Sequence, residues 1–216
     1  MDADPIAQFK RWLAQATGAR ASGRLLKFLV RLYKSLLAAA HVETLDVTAM
    51  TLATADKDGR PSGRVVLLKG VDARGFIFFT NYDSRKGREL SENPNAALVM
   101  YWSDLERQVC IAGQVQRLPE EESRDYFATR PRGGQIGAWA SRQSEVIRDR
   151  AALEATWAEF ERKYAGQDVP KPPGWGGFVL APVRMEFWQG RPNRLHDRFC
   201  YTKLPDGTWR LERLSP

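Results

Sequence analysis

The residues in this 216-residue chain best placed to do chemistry lie between Arg64 and Glu89, in the stretch RVVLLKGVDARGFIFFTNYDSRKGRE. Ser84 is a good N-cap for a helix running through Leu90, which puts Arg85 and Lys86 in its first turn. The helix dipole disfavours cations there by a few tenths to about 1 kcal/mol. A bound anion removes that conflict, accepting hydrogen bonds from the free N–H groups and from both side chains. Arg64, on the neighbouring strand, adds a third cation. The stretch therefore has the makings of a phosphate cradle; the plainer alternative is a hairpin with solvated basic ends.

Three further groups could bind a ligand. Tyr126 and Arg130 are four apart in a helical pattern, PEEESRDYFATR, and share a face; together they can hold a phosphate or simply make a surface pair. In RLHDR, strand alternation would put Arg194, His196 and Arg198 on one face, where they repel unless something negative or electron-rich lies across them. Gln108, inside a strand, needs partners that either a ligand heterocycle or the backbone can supply. The basic, glycine-rich run from Arg130 to Ser144 lacks the Gly-Lys-Ser/Thr ending of a P-loop.

These groups have to be positioned by a mostly antiparallel set of strands. Val65, Val66, Leu67 and Leu68, flanked by Arg64 and Lys69, read as a strand over 63–69 buried on both faces. Asp72 to Gly75 makes a turn, and Phe76 to Thr80 the next strand. Upstream, Ala49 to Ala55 pairs across Asp58-Gly59. Downstream strands are expected over 96–102, 107–118, 184–189, 194–203 and 208–214, with a loop over 165–177. Helices are expected over 4–16, with Ile6, Phe9, Trp12 and Leu13 as the apolar stripe, over 24–40 as a basic amphipathic helix, from Pro119 to about Arg130, and over 148–164. The fold class is mainly β with peripheral helices, an α+β chain. Residues 1–48 are read as N-terminal helices and 49–216 as the strand-rich domain.

The charge balance, 33 Lys+Arg against 26 Asp+Glu, gives +7 and favours anionic partners without choosing among phosphorylated small molecules, nucleic acid and membrane surface. Cys110 and Cys200 have no metal-ligand spacing and form no disulfide framework, which fits a reducing cytoplasm. No apolar run is long enough to span a bilayer, and there is no signal peptide.

Taken together, RVVLLK (64–69), FFTNYDSRKG (78–87), LERQV (105–109), YFATRPR (126–132), QIGAWASRQS (135–144), WGGF (175–178), EFWQG (186–190), RLHDR (194–198) and the closing RLSP resemble the pyridoxine/pyridoxamine 5′-phosphate oxidase family. The resemblance implies an antiparallel, Greek-key-like split β-barrel, dimeric, with one FMN at each end of the subunit interface. It implies oxidation of pyridoxine and pyridoxamine 5′-phosphates to pyridoxal 5′-phosphate. On this resemblance hydride would pass from the substrate C4′ to flavin N5, O2 would be reduced to hydrogen peroxide, and the amine substrate would release ammonia. No nucleic acid or membrane partner is implied.

Carried over by position, the implied FMN residues are Arg64, Val65, Val66, Leu67, Leu68, Lys69, Phe79, Thr80, Arg85, Lys86, Gln108, Gln143, Ser144, Trp188 and Arg198. The implied substrate residues are Lys69, Tyr126, Arg130, Gly134, Arg194, Leu195 and His196. Lys69, Tyr126 and Arg130 would clamp the substrate phosphate, and Arg194 and His196 would cover the other ring face in the catalytic role. Arg64 and Lys69 are five apart, so a regular strand would aim them at opposite faces; a strand end or bulge between them would resolve this. Three features depart from the family pattern: Gly134 stands where a serine is usual, a leading segment is absent, and the 24–40 helix has no family role. A related oxidase acting on a phenazine precursor, a flavin binder without turnover, and a non-enzymatic binder of anionic surfaces are the alternatives.

Overall fold

In a computed structural model of the chain, which describes residues 1–18 and 46–216, nine strands form one antiparallel sheet. The helix α1 spans 5–18. The expected helix over 24–40 lies outside the described residues. Strands β1 (Ala49–Ala55) and β2 (Pro61–Leu67) form the expected hairpin, with Gly59 at φ 81° in the turn. β3 (Gly70–Asp72) and β4 (Gly75–Asn81) pair across the expected second turn, then α2 (Arg85–Glu92) follows. β5 (Asn95–Trp102) and β6 (Arg107–Arg117) precede α3 (Glu120–Ala128), α4 (Arg132–Ala140) and α5 (Arg150–Lys163). β7 (Trp175–Gln189), β8 (Asp197–Lys203) and β9 (Trp209–Leu214) close the chain.

β7 is the spine. Its 15 residues pair with β6 almost throughout, with β4 along the first half and with β8 along the second. The strand therefore starts at Trp175, inside the stretch read as a loop, and runs unbroken into the expected strand over 184–189. Gly113 and Gly177 allow this packing: a Cβ on Gly113 would sit 2.0 Å from the Ala181 carbonyl oxygen, and one on Gly177 2.5 Å from the Leu118 side chain.

The strand order is β2-β1-β5-β6-β7-β4-β3, so the consecutive strands β2 and β3 lie at opposite ends of the path. They are joined by two residues. Leu68 N–H donates to Thr48 O (2.9 Å), and Lys69 N–H donates to Ile77 O (2.8 Å). The chain changes pairing partner within one residue, which the sheet can only accommodate by curling until its ends meet. The interior of the curl is filled by Leu52, Phe76, Phe78, Leu98, Met100, Ile111, Met185 and Phe187. Phe9 and Trp12 of α1 join this core, Phe9 edge-on to Phe76 at 4.9 Å and Trp12 edge-on to Phe187 at 5.2 Å. Tyr201 Oη donates to the Asp2 carbonyl at 2.6 Å and ties the N-terminus to β8.

The reading of 63–69 as a strand buried on both faces is corrected. β2 ends at Leu67 and is an edge strand, half-exposed along its length, with Val65 67% exposed. Leu68 alone is fully turned into the core.

Candidate functional site

Sequence reasoning placed a cation conflict at the start of α2, and the structure has it. Ser84 caps the helix, its Oγ accepting from Gly87 N–H at 3.3 Å, and no acidic residue occupies the first turn. Lys86 is nearly buried. Its ammonium donates to Gln143 Oε1 (2.8 Å), Thr80 Oγ1 (3.2 Å) and Ser84 Oγ (3.4 Å). Burial, reinforced by the neighbouring Arg64 charge and opposed by Glu89, pulls its pKa down to about 8.

Arg64 reaches the same place from β2. Its guanidinium donates to Leu52 O (3.2 Å), Thr54 Oγ1 (2.5 Å), Ser62 Oγ and Glu89 Oε2 (3.1 Å). Arg85 turns along its own helix to Glu89 Oε1 at 2.8 Å and does not line the cleft. Glu89 is the residue sequence reasoning missed. Burial works to raise its pKa, but hydrogen bonds from Ser62, Thr54, Arg85 and Arg64 hold it down to about 2. The Arg85–Glu89 spacing of four was the available signal; the hairpin partners Thr54 and Ser62 were not readable as its donors.

A cleft of 820 Å³ opens beside this cluster. Of the expected residues, Arg64, Val65, Val66, Leu67, Lys69, Phe79, Thr80, Lys86, Tyr126, Arg130, Gly134 and Gln143 line it. Arg64 and Lys69 face one cleft because the strand ends between them. Thr129, Ser141 and Trp175 line it too and were not singled out. Phe79, Tyr126 and Trp175 stack as a near-parallel aromatic wall, with Phe79–Tyr126 centroids at 3.9 Å and Phe79–Trp175 at 5.4 Å. Arg130 lies over Trp175 at 4.9 Å, and burial lowers its pKa. Its Nη1 is buried with no hydrogen-bond partner among the described residues. A Cβ on Gly134 would come 3.4 Å from Arg130 Nη2.

The other expected residues are elsewhere in the chain. Gln108, Trp188 and Arg198 are directly paired across β6, β7 and β8, so they form one row on one face of the sheet. Arg198 is held by Glu186 (2.7 Å) and by the Ser215 carbonyl (3.0 Å). The expectation that Arg194, His196 and Arg198 share a strand face is corrected. β8 begins only at Asp197, and Asn193 and Arg194 have φ of 59° and 61° in a tight turn. His196 packs on Trp188 at 4.7 Å, and its Nδ1 accepts from Arg191 N–H at 3.1 Å. Arg194 and Leu195 are exposed, as is Ser144, at φ 75° in the loop after α4.

Comparison with known proteins gives this geometry a family. Residues 37–164 match the profile for pyridoxamine 5′-phosphate oxidase, and residues 175–216 that for the pyridoxine 5′-phosphate oxidase C-terminal dimerisation region. A pyridoxine/pyridoxamine 5′-phosphate oxidase of Nostoc punctiforme is 50% identical over 216 residues, covering 100% of this chain and 90% of that one. Its namesake in Salinibacter ruber is 52% identical, covering 99% and 89%. Among solved structures, PhzG from Burkholderia lata in complex with tetrahydrophenazine-1-carboxylic acid superposes with a TM-score of 0.85 at 35% identity, covering 100% and 94%. A pyridoxamine 5′-phosphate oxidase-related, FMN-binding protein from Nostoc punctiforme shares the fold, with a TM-score of 0.71 at 17% identity and full coverage of both chains. The curled antiparallel sheet is thus the expected split barrel, and the chain belongs to the pyridoxine/pyridoxamine 5′-phosphate oxidase family.

Proposed function

We propose that this protein is an FMN-dependent oxidase that converts pyridoxine 5′-phosphate and pyridoxamine 5′-phosphate to pyridoxal 5′-phosphate at the expense of O2. The observation that carries the reading is Arg130: a guanidinium in the cleft wall with a buried Nη1 that nothing among the described residues satisfies. Leaving such a donor unpaired is costly, and an anionic ligand group relieves the cost.

The residues present fit a flavin phosphate as well. Lys86, Arg64 and the N-terminus of α2 offer donors around the cleft, and each charge-assisted bond to a phosphate is worth about 1.5–3 kcal/mol. When bound, FMN supplies a two-electron acceptor for the substrate's carbon–hydrogen bond and passes the electrons to O2. The chain's own contribution is to bind and orient. Arg130, with Tyr126 and Lys69, holds the substrate phosphate and so fixes the ring, which removes orientational entropy from the barrier. The Phe79–Tyr126–Trp175 wall keeps water off that side. His196 accepts at Nδ1, so in its neutral form the proton sits on Nε2, ready to donate to a substrate oxygen.

The row Gln108–Trp188–Arg198 and the turn carrying Arg194 and His196 do not line the cleft of their own chain. Most of them fall within residues 175–216, the stretch matched to a dimerisation region. A homodimer in which one copy completes the other's cleft accounts for this separation.

The likeness to PhzG favours a second reading, oxidation of a reduced phenazine carboxylic acid. A ring carboxylate satisfies Arg130 as a phosphate does, and Gly134 leaves space beside it. Oxygen uptake by the FMN-loaded protein separates the two. Turnover with pyridoxine 5′-phosphate and pyridoxamine 5′-phosphate but not with unphosphorylated pyridoxine is expected. Turnover only with tetrahydrophenazine-1-carboxylic acid would replace the first reading with the second, and a purified protein that binds no flavin would end both.

A further inference from the structure

The phosphate cradle contains an anion of its own, and its placement is not that of a surface ion pair. Glu89 sits in the second turn of α2 with its side chain 7% exposed. Its Oε2 accepts from Thr54 Oγ1 of β1 (2.5 Å), Ser62 Oγ of β2 (2.6 Å) and Arg64 Nη2 (3.1 Å), while Oε1 accepts from Arg85 Nε (2.8 Å). Arg64, which lines the cleft, and Arg85, which does not, are therefore tied to one buried carboxylate, and Lys86 shares their neighbourhood.

We infer that Glu89 is the positioning residue of the cradle, holding Arg64 in a fixed arrangement at the cleft, drawing Arg85 away along the helix, and trimming the local charge to match a phosphate dianion. The inference rests on the FMN reading above. Arg64, Arg85 and Lys86 contribute three positive charges and Glu89 one negative, so the group carries +2. A phosphate monoester above its second pKa of about 6 carries close to −2. Without Glu89 the cations would repel one another, and each free arginine would lose its rotamer freedom only at the moment of binding. With Glu89 in place the ordering of Arg64 is already done before the ligand arrives.

Simple charge counting and positioning predict opposite outcomes for Glu89→Gln. Removing a negative charge from an anion site should tighten binding if net charge alone decides. If positioning decides, binding weakens. The full-length, flavin-free protein is titrated with FMN and, separately, with riboflavin, which has the same rings and no phosphate, and quenching of flavin fluorescence is followed. Wild type is expected to prefer FMN. Glu89→Gln is expected to raise the Kd for FMN roughly tenfold, the loss of one well-ordered charge-assisted contact, while the Kd for riboflavin stays within about twofold.

A Glu89→Gln protein that keeps or improves its FMN affinity overturns the inference. Equal losses for FMN and riboflavin overturn it too, because they report a damaged fold. If Glu89→Gln does not fold, Ser62→Ala is read instead. It removes one donor to Glu89 and one acceptor from Arg64, and is expected to cost FMN, but not riboflavin, roughly two- to fivefold; no change in the FMN-to-riboflavin ratio refutes the inference. A wild-type protein with no preference for FMN over riboflavin refutes the phosphate placement itself, a result distinct from failure of the Glu89 role alone.

Discussion

Lys86 should make the flavin-free protein less stable at neutral pH while making flavin binding possible, and Lys86→Met separates these effects. The folded-state pKa of about 8 lies below the ordinary lysine value of 10.5. Between those values the unfolded chain holds the proton and the folded chain does not, so the wild-type penalty is fully present below about pH 8 and disappears as pH rises through 10.5. That interval corresponds to roughly 3 kcal/mol. Methionine has no such penalty but gives up the ammonium's two shorter hydrogen bonds, to Gln143 and Thr80, at about 1 kcal/mol each; the 3.4 Å contact to Ser84 is too long to add materially. In urea denaturation without flavin, Lys86→Met should thus be about 1 kcal/mol more stable than wild type at pH 7 and about 2 kcal/mol less stable near pH 10.5. The same variant should bind FMN about 10–100-fold more weakly at pH 7. A stability difference that stays flat from pH 7 to 10.5 would refute the reasoning, because the buried ammonium would then carry no titratable cost.

Two other substitutions test the geometry around the cleft. A Cβ on Gly87 would lie 2.1 Å from the Tyr82 carbonyl oxygen, so Gly87→Ala must push α2 off its cap; a loss of about 1–3 kcal/mol with weakened FMN binding is expected, and a change within about 0.5 kcal/mol in urea denaturation would count against the packing described. Gly134→Ser places a hydroxyl beside Arg130, whose side chain can give way by the few tenths of an ångström required; KM for a phosphorylated substrate should fall about two- to tenfold with kcat unchanged, whereas an equal change for unphosphorylated pyridoxine would show that the hydroxyl does not meet the phosphate.

Local features of this protein were legible in the sequence because neighbours in the chain decide them. The Ala49–Ala55 hairpin strand, the turn before Gly75, the Ser84 cap and the cations in the first turn after it depend on backbone propensity and on contacts within four residues, and the structure has each of them. The cationic and phenolic character of Lys86, Tyr126 and Arg130 was likewise readable from residue type. Where those side chains meet was not. The strand break at Leu67 that turns Arg64 and Lys69 to one cleft follows from a change of hydrogen-bonding partner between β1 and β4, which only a closed sheet imposes. Glu89 looks in sequence like an ordinary helix-surface partner for Arg85; its burial against Thr54 and Ser62 comes from docking α2 on the β1–β2 hairpin. Strand alternation failed at Arg194 because positive φ at Asn193 and Arg194 takes the chain out of the strand before Asp197. Residue type and local spacing thus determined which groups could act, while long-range register and the curl of the sheet decided which of them share a cleft. Pairings between residues as far apart as Thr80 and Gln143 leave no trace in a periodicity of two or four.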